Sequence, residues 1–195
     1  VEEAPKPDNL YAETKVMAET EIQRSCLQWS ILRLAVVCPT QMGLSDSGNL
    51  DAMFDASISG RLEAVHEDDA GLAFATAVDC DEAIGRVLFI GGGLSCQTTV
   101  LEFYNRIFGS MGIGPFSADI LLASEPYFSG DWLDTQESQR LLQFQRHSID
   151  DLLLAMRRNI GVLRFPLTLL SPLIVRILSN RSPHRKARYH DALKS

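Results

Sequence analysis

A chain of 195 residues holds one domain with a substantial core and is too short for two ordinary ones. Its 46 % hydrophobic and 22 % charged residues are those of a soluble globular protein, and they exclude a collagen-like, repetitive or broadly disordered chain. The net charge of −7 is uneven: residues 157–195 hold nine Lys or Arg against one acid, Asp191, so a basic tail follows an acidic body.

The four cysteines, Cys26, Cys38, Cys80 and Cys96, form no Cys-x-x-Cys pair and have no neighbouring His, which argues against a zinc site and a disulfide framework. No metal is expected, and a reduced, cytoplasmic location is the default. The start, Val1-Glu2-Glu3-Ala4-Pro5-Lys6-Pro7, has no apolar signal-peptide core and reads as an internal loop of a longer protein.

In chain order, Asp8 stands at a helix N-cap position, and Tyr11 to Arg24 is a breaker-free helical segment. Trp29 to Val37, ended by Pro39, suits one buried strand of a parallel sheet. After a Gly- and Ser-containing loop, Asn49 to Ser59 has helical spacing and stops at Gly60. Leu62 to His66 reads as a short strand. Glu67-Asp68-Asp69 opens a helix to about Val78, its acids on the positive helix end. Arg86 to Ile90 is a strand ended by Gly91-Gly92-Gly93, and Thr98 or Thr99 caps a helix to about Phe108. A Gly/Pro/Ser-rich connection covers 109–130, followed by helices over Thr135–Leu142 and Ser148–Asn159. Phe165 to Ser179 is apolar, interrupted by Pro166, Pro172 and Arg176.

Strands alternating with helices imply an α/β fold with a parallel sheet. No strand–Gly-x-Gly-x-x-Gly–helix unit occurs. Gly109-Ser110-Met111-Gly112-Ile113-Gly114 has its glycines in the wrong order and follows a helix, and Gly91–Gly93 reads as a tight turn ahead of a ligand contact.

Tyr11-Ala12-Glu13-Thr14-Lys15 is the segment with chemistry in it. Positions i and i+4 share a helix face, so phenol and ammonium point the same way. A phenol is a poor acid or base at neutral pH, and a nearby cation lowers its pKa toward the working range. The same lysine can reach a ribose hydroxyl. From spacing alone, an ordinary surface helix with an ordinary aromatic and an ordinary lysine is the favoured reading.

Five segments in order change that balance. Pro7-Asp8-Asn9-Leu10-Tyr11-Ala12-Glu13-Thr14-Lys15-Val16-Met17-Ala18-Glu19 resembles the Pro-x-x-x-Tyr-x-x-x-Lys-x-x-x-Glu segment of extended short-chain dehydrogenases, the NAD(P)-dependent epimerase/dehydratase type. Arg33-Leu34-Ala35-Val36-Val37-Cys38-Pro39 is similar to that family's following strand, Val65-His66-Glu67-Asp68-Asp69-Ala70 to its His-Val-x-Asp-Val-Ala helix start, Arg86–Gly92 to its strand ending Asn-Ile-Gly-Gly, and Leu133-Asp134-Thr135 with Ser138, Leu141-Leu142 and Phe144 to a later segment. The departures are Cys38 and Thr40 around Pro39, where Tyr-Gly is usual, and Gln143 in place of Gly.

The resemblance implies an incomplete doubly wound, Rossmann-like parallel sheet, with residues 1–155 as the C-terminal part of the cofactor domain plus a substrate-binding region, and 156–195 as a helical basic tail. It makes Tyr11 the acid/base and Lys15 its pKa partner and ribose ligand. It sets the Val37-Cys38-Pro39 backbone beside the nicotinamide of NAD or NADP, and makes Asp69 a structural cap. The phosphate loop and the Ser/Thr catalytic partner would precede Val1. Asn49, Arg61 and His66 are candidate contacts to a small-molecule substrate bearing a hydroxyl, such as a nucleotide sugar. For Arg61 a helix C-terminal cation, and for His66 a structural strand-end residue, are the plainer readings. His147, His184 and His190 have no partners at metal or catalytic spacing in the sequence and read as surface residues. No nucleic-acid partner is expected, and homo-oligomerisation is a candidate.

Phe165 to Leu178 reads as too short and too proline-broken to span a membrane. With its arginines, the stretch 160–190 either lies on an anionic membrane or covers an apolar groove of its own body, the latter being the plainer reading. Two other functional classes remain beside the enzyme: a non-catalytic NAD(P)-binding regulator, and a peripheral membrane or scaffold protein acting through the tail.

Overall fold

A computed structural model describes residues 6–7, 9–41, 54, 56–57, 60–121 and 131–185. Asp8 and Asn49 lie outside this set, as does most of the helix expected over 49–59. The first helix, α1 (Leu10–Arg24), is capped by Asn9, whose Oδ1 accepts the Ala12 N–H at 2.9 Å. It buries none of its side chains. A two-point ion pair from Arg33 to Glu19, at 2.9 and 2.6 Å, ties it to the sheet.

The apolar run from Trp29 forms two strands, β1 (Ser30–Leu34) and β2 (Val36–Cys38), where one was expected. The run changes partner at Ala35. β1 pairs in parallel with β4 (Arg86–Ile90), and β2 pairs in parallel with β3 (Arg61–His66), which also pairs antiparallel with β5 (Gln97–Thr99). The Ala35 N–H still reaches the Ile90 carbonyl at 2.8 Å, the last bond before β4 ends in glycines. Those glycines are a close-packed turn. A Cβ on Gly91 would stand 2.1 Å from Glu63 Oε1, and one on Gly92 would stand 2.4 Å from Cys96 Sγ.

The helices are α2 (Glu67–Val78), α3 (Val100–Ser110), α4 (Gln136–Leu142), α5 (Ile149–Ile160) and α6 (Arg164–Arg181). Thr99 caps α3, its Oγ1 accepting the Glu102 N–H. Ser148 and Asp151 form a reciprocal capping box on α5. β3 lies between two cores. Leu62 and Ala64 join Phe103, Ile107, Leu152 and Met156 on one side. Val65 joins Ala73, Leu88, Ile90 and Phe144 on the other. A strand buried on both faces is what a covered sheet requires.

α6 differs from expectation. Pro172 lies inside it, removing the bond to the Thr168 carbonyl, yet the helix continues. Packing compensates, because Leu167, Ile174, Val175 and Leu178 rest on the first core and Ser171 Oγ accepts the Gly114 N–H at 3.0 Å. A boundary between residues 155 and 156 would fall inside α5, and the inner side of the tail belongs to the core. Through the 3-10 turn Gly161–Leu163, residues Ile149–Arg181 form a 33-residue helical run long and apolar enough to cross a membrane by length and composition. The apolar stretch 165–178 is thus one part of a longer helical run.

Part of the sheet and of the first helix is uncovered. Leu34, Val36 and Val37, and Leu10, Tyr11 and Met17 of α1, are exposed. Among the described residues β2 therefore turns Cys38 inward and leaves Val36 and Val37 exposed, while β1 keeps Ile31 buried and exposes Leu34.

Candidate active site

α1 places Tyr11 and Lys15 on one turn-to-turn face, with the Lys15 ammonium 5.3 Å from the centre of the Tyr11 ring. Tyr11 is 69 % exposed and Lys15 is exposed too, so the phenol is open to a substrate and the ammonium to a second ligand. The helix runs straight from its cap through this pair with no breaker, which keeps the two residues in fixed relation.

In the Val37–Pro39 segment, Val37 and Pro39 are exposed while Cys38 turns into the first core. A ligand on that side meets the backbone and the flanking side chains, not the thiol. Burial pushes the Cys38 thiol up to about 12, with nearby Cys96 adding to the shift, and burial raises Cys96 as well. Neither supplies a thiolate nucleophile. A maleimide at about pH 8 is expected to label exposed Cys26 quickly, and Cys38 and Cys96 only after unfolding. Peptide mass spectrometry reads this, and Cys38 labelled as fast as Cys26 would contradict its placement.

Just beyond Pro39, Thr40 donates its N–H (2.9 Å) and its hydroxyl (2.6 Å) to Glu67, the first residue of α2. Sequence inspection had placed Glu67 only as a helix-end acid. The bonds from Thr40 hold its carboxyl below the ordinary range, the side-chain bond first. A folded value below the unfolded one contributes stability that is complete above the ordinary glutamate range and is lost as pH falls through the lowered value. Hydrogen exchange at the Thr40 amide is expected to accelerate below roughly pH 4, and Glu67→Gln should abolish that dependence. A Thr40 amide equally protected in both proteins at every pH would break the link.

The substrate candidates fare differently. Arg61 does not follow a described helix but begins β3. Its guanidinium sits 4.7 Å from the Trp132 ring centre and 3.4 Å from Asp131, so it already has a carboxylate partner on the surface. His66 is buried: its Nδ1 accepts the Asp68 N–H at 3.1 Å and caps α2, and its ring stacks on His147 at 4.2 Å. The cap and the stack give the ring a structural part, the plainer of the two readings for His66.

His147 is likewise no partnerless surface residue. Its Nδ1 lies 2.6 Å from Asp69 Oδ1, and Asp69 Oδ2 accepts the N–H groups of Arg146 and His147, each at 3.0 Å. Asp69 is therefore a buried clasp on the 146–147 segment, while the cap of α2 is His66. His66, Asp68 and His147 bring one donor atom each within 4.8 Å of one another, but Nδ1 of both imidazoles is already engaged. Glu63 is a second buried clasp, accepting from Gly93 N (2.9 Å), Gln97 Nε2 (3.0 Å) and Leu133 N (2.9 Å). The alternation Arg61-Leu62-Glu63-Ala64 suggests an outward-facing acid, and no sequence signal reveals the three donors.

No protein-family model matches the sequence, and no curated protein matches it. Solved structures do. A UDP-glucuronic acid 4-epimerase from Bacillus cereus, solved with UDP-glucuronic acid and NAD, superposes with a TM-score of 0.62 at 20 % identity over 80 % of this chain and 54 % of its own. A UDP-glucose 4-epimerase from Stenotrophomonas maltophila with bound NAD gives 0.58 at 15 %, over 85 % and 61 %. RMD from Pseudomonas aeruginosa, complexed with NADPH, gives 0.62 at 13 %, over 82 % and 58 %. The chain shares the fold of part of these structures. It spans little more than half the length of these neighbours, a mixed α/β unit with parallel strands.

Proposed function

We propose that this chain supplies the acid/base helix and the substrate side of a nicotinamide-dependent enzyme that oxidises, reduces, epimerises or dehydrates a hydroxyl-bearing substrate, with a nucleotide sugar as the substrate class. The observation that carries this is the Tyr11–Lys15 pair on an exposed helix face of a chain with the fold of NAD-holding epimerases. The exposed apolar residues of α1, β1 and β2 suit covering by a further layer of the same fold, which would hold most of the cofactor.

The residues present fit one end of NAD or NADP only. Lys15 offers donors for ribose hydroxyls, and the exposed backbone around Val37 and Pro39 offers a wall. Among the described residues, no glycine-rich loop at a helix start offers amides to a pyrophosphate. When bound, the nicotinamide supplies hydride acceptance and return. The chain's own part is proton handling: the Tyr11 oxygen takes a proton from the substrate hydroxyl or gives one back, with the Lys15 ammonium 5.3 Å from the centre of its ring. Deleting the Tyr11 hydroxyl in the longer protein, with cofactor binding read alongside turnover, tests the reading. Cofactor binding without turnover in the unaltered protein would point instead to a non-catalytic regulator.

A further inference from the structure

α6 is apolar on both sides, and only one side is used. Its inner side is fixed to the body: Leu167, Ile174 and Leu178 join the first core, Ser171 Oγ also donates to the Gly114 carbonyl, and Arg164 Nε donates to Ser110 O at 3.1 Å. Its outer side carries Phe165, Leu169, Leu173 and Ile177 in one row at i+4 spacing, with Leu170 beside them and Val162 just before the helix. Exposures of 79 % at Phe165 and 73 % at Leu169 show side chains held in water. A contiguous apolar row of this kind marks an interaction surface.

Its charge says which kind. Arg176 and Arg181 stand on the exposed side of α6, and Arg157 and Arg158 are exposed at the end of α5. Among the described residues none of the four has an acidic partner in an ion pair. Over residues 157–195 nine basic residues meet one acid, in a chain of net charge −7. We propose that this side of α6 lies on an anionic lipid surface, its apolar row sunk at the headgroup boundary and the arginines among the phosphates. An in-plane arrangement follows from the inner side, which cannot leave the body without giving up its core contacts and the Ser171 and Arg164 hydrogen bonds. Crossing the bilayer would in addition carry Arg176 into hydrocarbon. A second copy of the chain fits poorly, because it would set one basic surface against another.

The test is co-sedimentation of the full chain with vesicles of phosphatidylcholine alone or containing phosphatidylserine, with light scattering and circular dichroism on the same samples. The chain is expected to sediment with the anionic vesicles and roughly tenfold less with neutral ones. Arg176→Gln with Arg181→Gln should weaken binding by about fivefold per residue removed. Leu169→Asp with Leu173→Asp should reduce it to background with the helical signal intact. If that pair unfolds, the arginine pair alone decides. A folded chain that ignores phosphatidylserine vesicles overturns the proposal. So does a dimer that the Leu169→Asp, Leu173→Asp pair dissolves in the absence of any vesicle binding.

Discussion

Tyr11→Phe is expected to lower turnover of the proposed enzyme by about two to four orders of magnitude, the usual worth of a positioned acid/base, while cofactor affinity stays within a few-fold. The substitution removes one oxygen and keeps the ring over which the Lys15 ammonium sits. The helix should not notice, since Tyr11 is exposed and the Asn9 cap bonds Ala12. Lys15→Met is expected to act differently, weakening cofactor binding as well as turnover, because the proposed function gives the same ammonium both the phenol and the ribose. Steady-state kinetics with a nucleotide sugar and a fluorescence titration of the cofactor separate the two. Turnover of Tyr11→Phe within a few-fold of the unaltered protein would remove the phenol from the chemistry, whatever the fold.

Asp69→Ala should be among the most destabilising single substitutions in the chain. It strands the Arg146 and His147 amides and the His147 imidazole, all of which converge on a carboxylate that is 1 % exposed. Leaving buried partners of a charged group unmade costs about 3 kcal/mol, which at this chain length lowers the melting temperature by roughly 6–12 °C. Asp69→Asn keeps an acceptor for the two amides and should cost about a third as much. Glu82→Gln, which breaks an exposed pair with Arg140, is the control and should change stability by less than about 1 kcal/mol. Thermal unfolding by circular dichroism reads all three. Asp69→Ala melting with the control would mean that the clasp contributes nothing.

The segments legible in the sequence are those whose signals are local. The span of α1, a threonine cap at 98 or 99, the helix beginning at Ser148 and the strands β3 and β4 depend on residues within one or two turns, where propensity and capping act. The Tyr11–Lys15 pair was legible for the same reason, since i and i+4 on a helix are neighbours by geometry alone. The tertiary structure decided whatever joins distant residues. The break at Ala35 exists because two different strands, ending at Ile90 and His66, compete for one run. Glu63 and Asp69 are buried because donors arrive from 30 to 78 residues away, and no periodicity encodes that. His147 gained a stacked partner and a carboxylate in the same way, and Arg61 was taken up by Asp131 and Trp132, 70 positions on in the first case. Pro172 stayed helical because packing on one side of α6 outweighed one lost backbone bond. Its other side was left to water because apolar sequence specifies a wish for cover, while only the three-dimensional arrangement determines which half of a helix receives it.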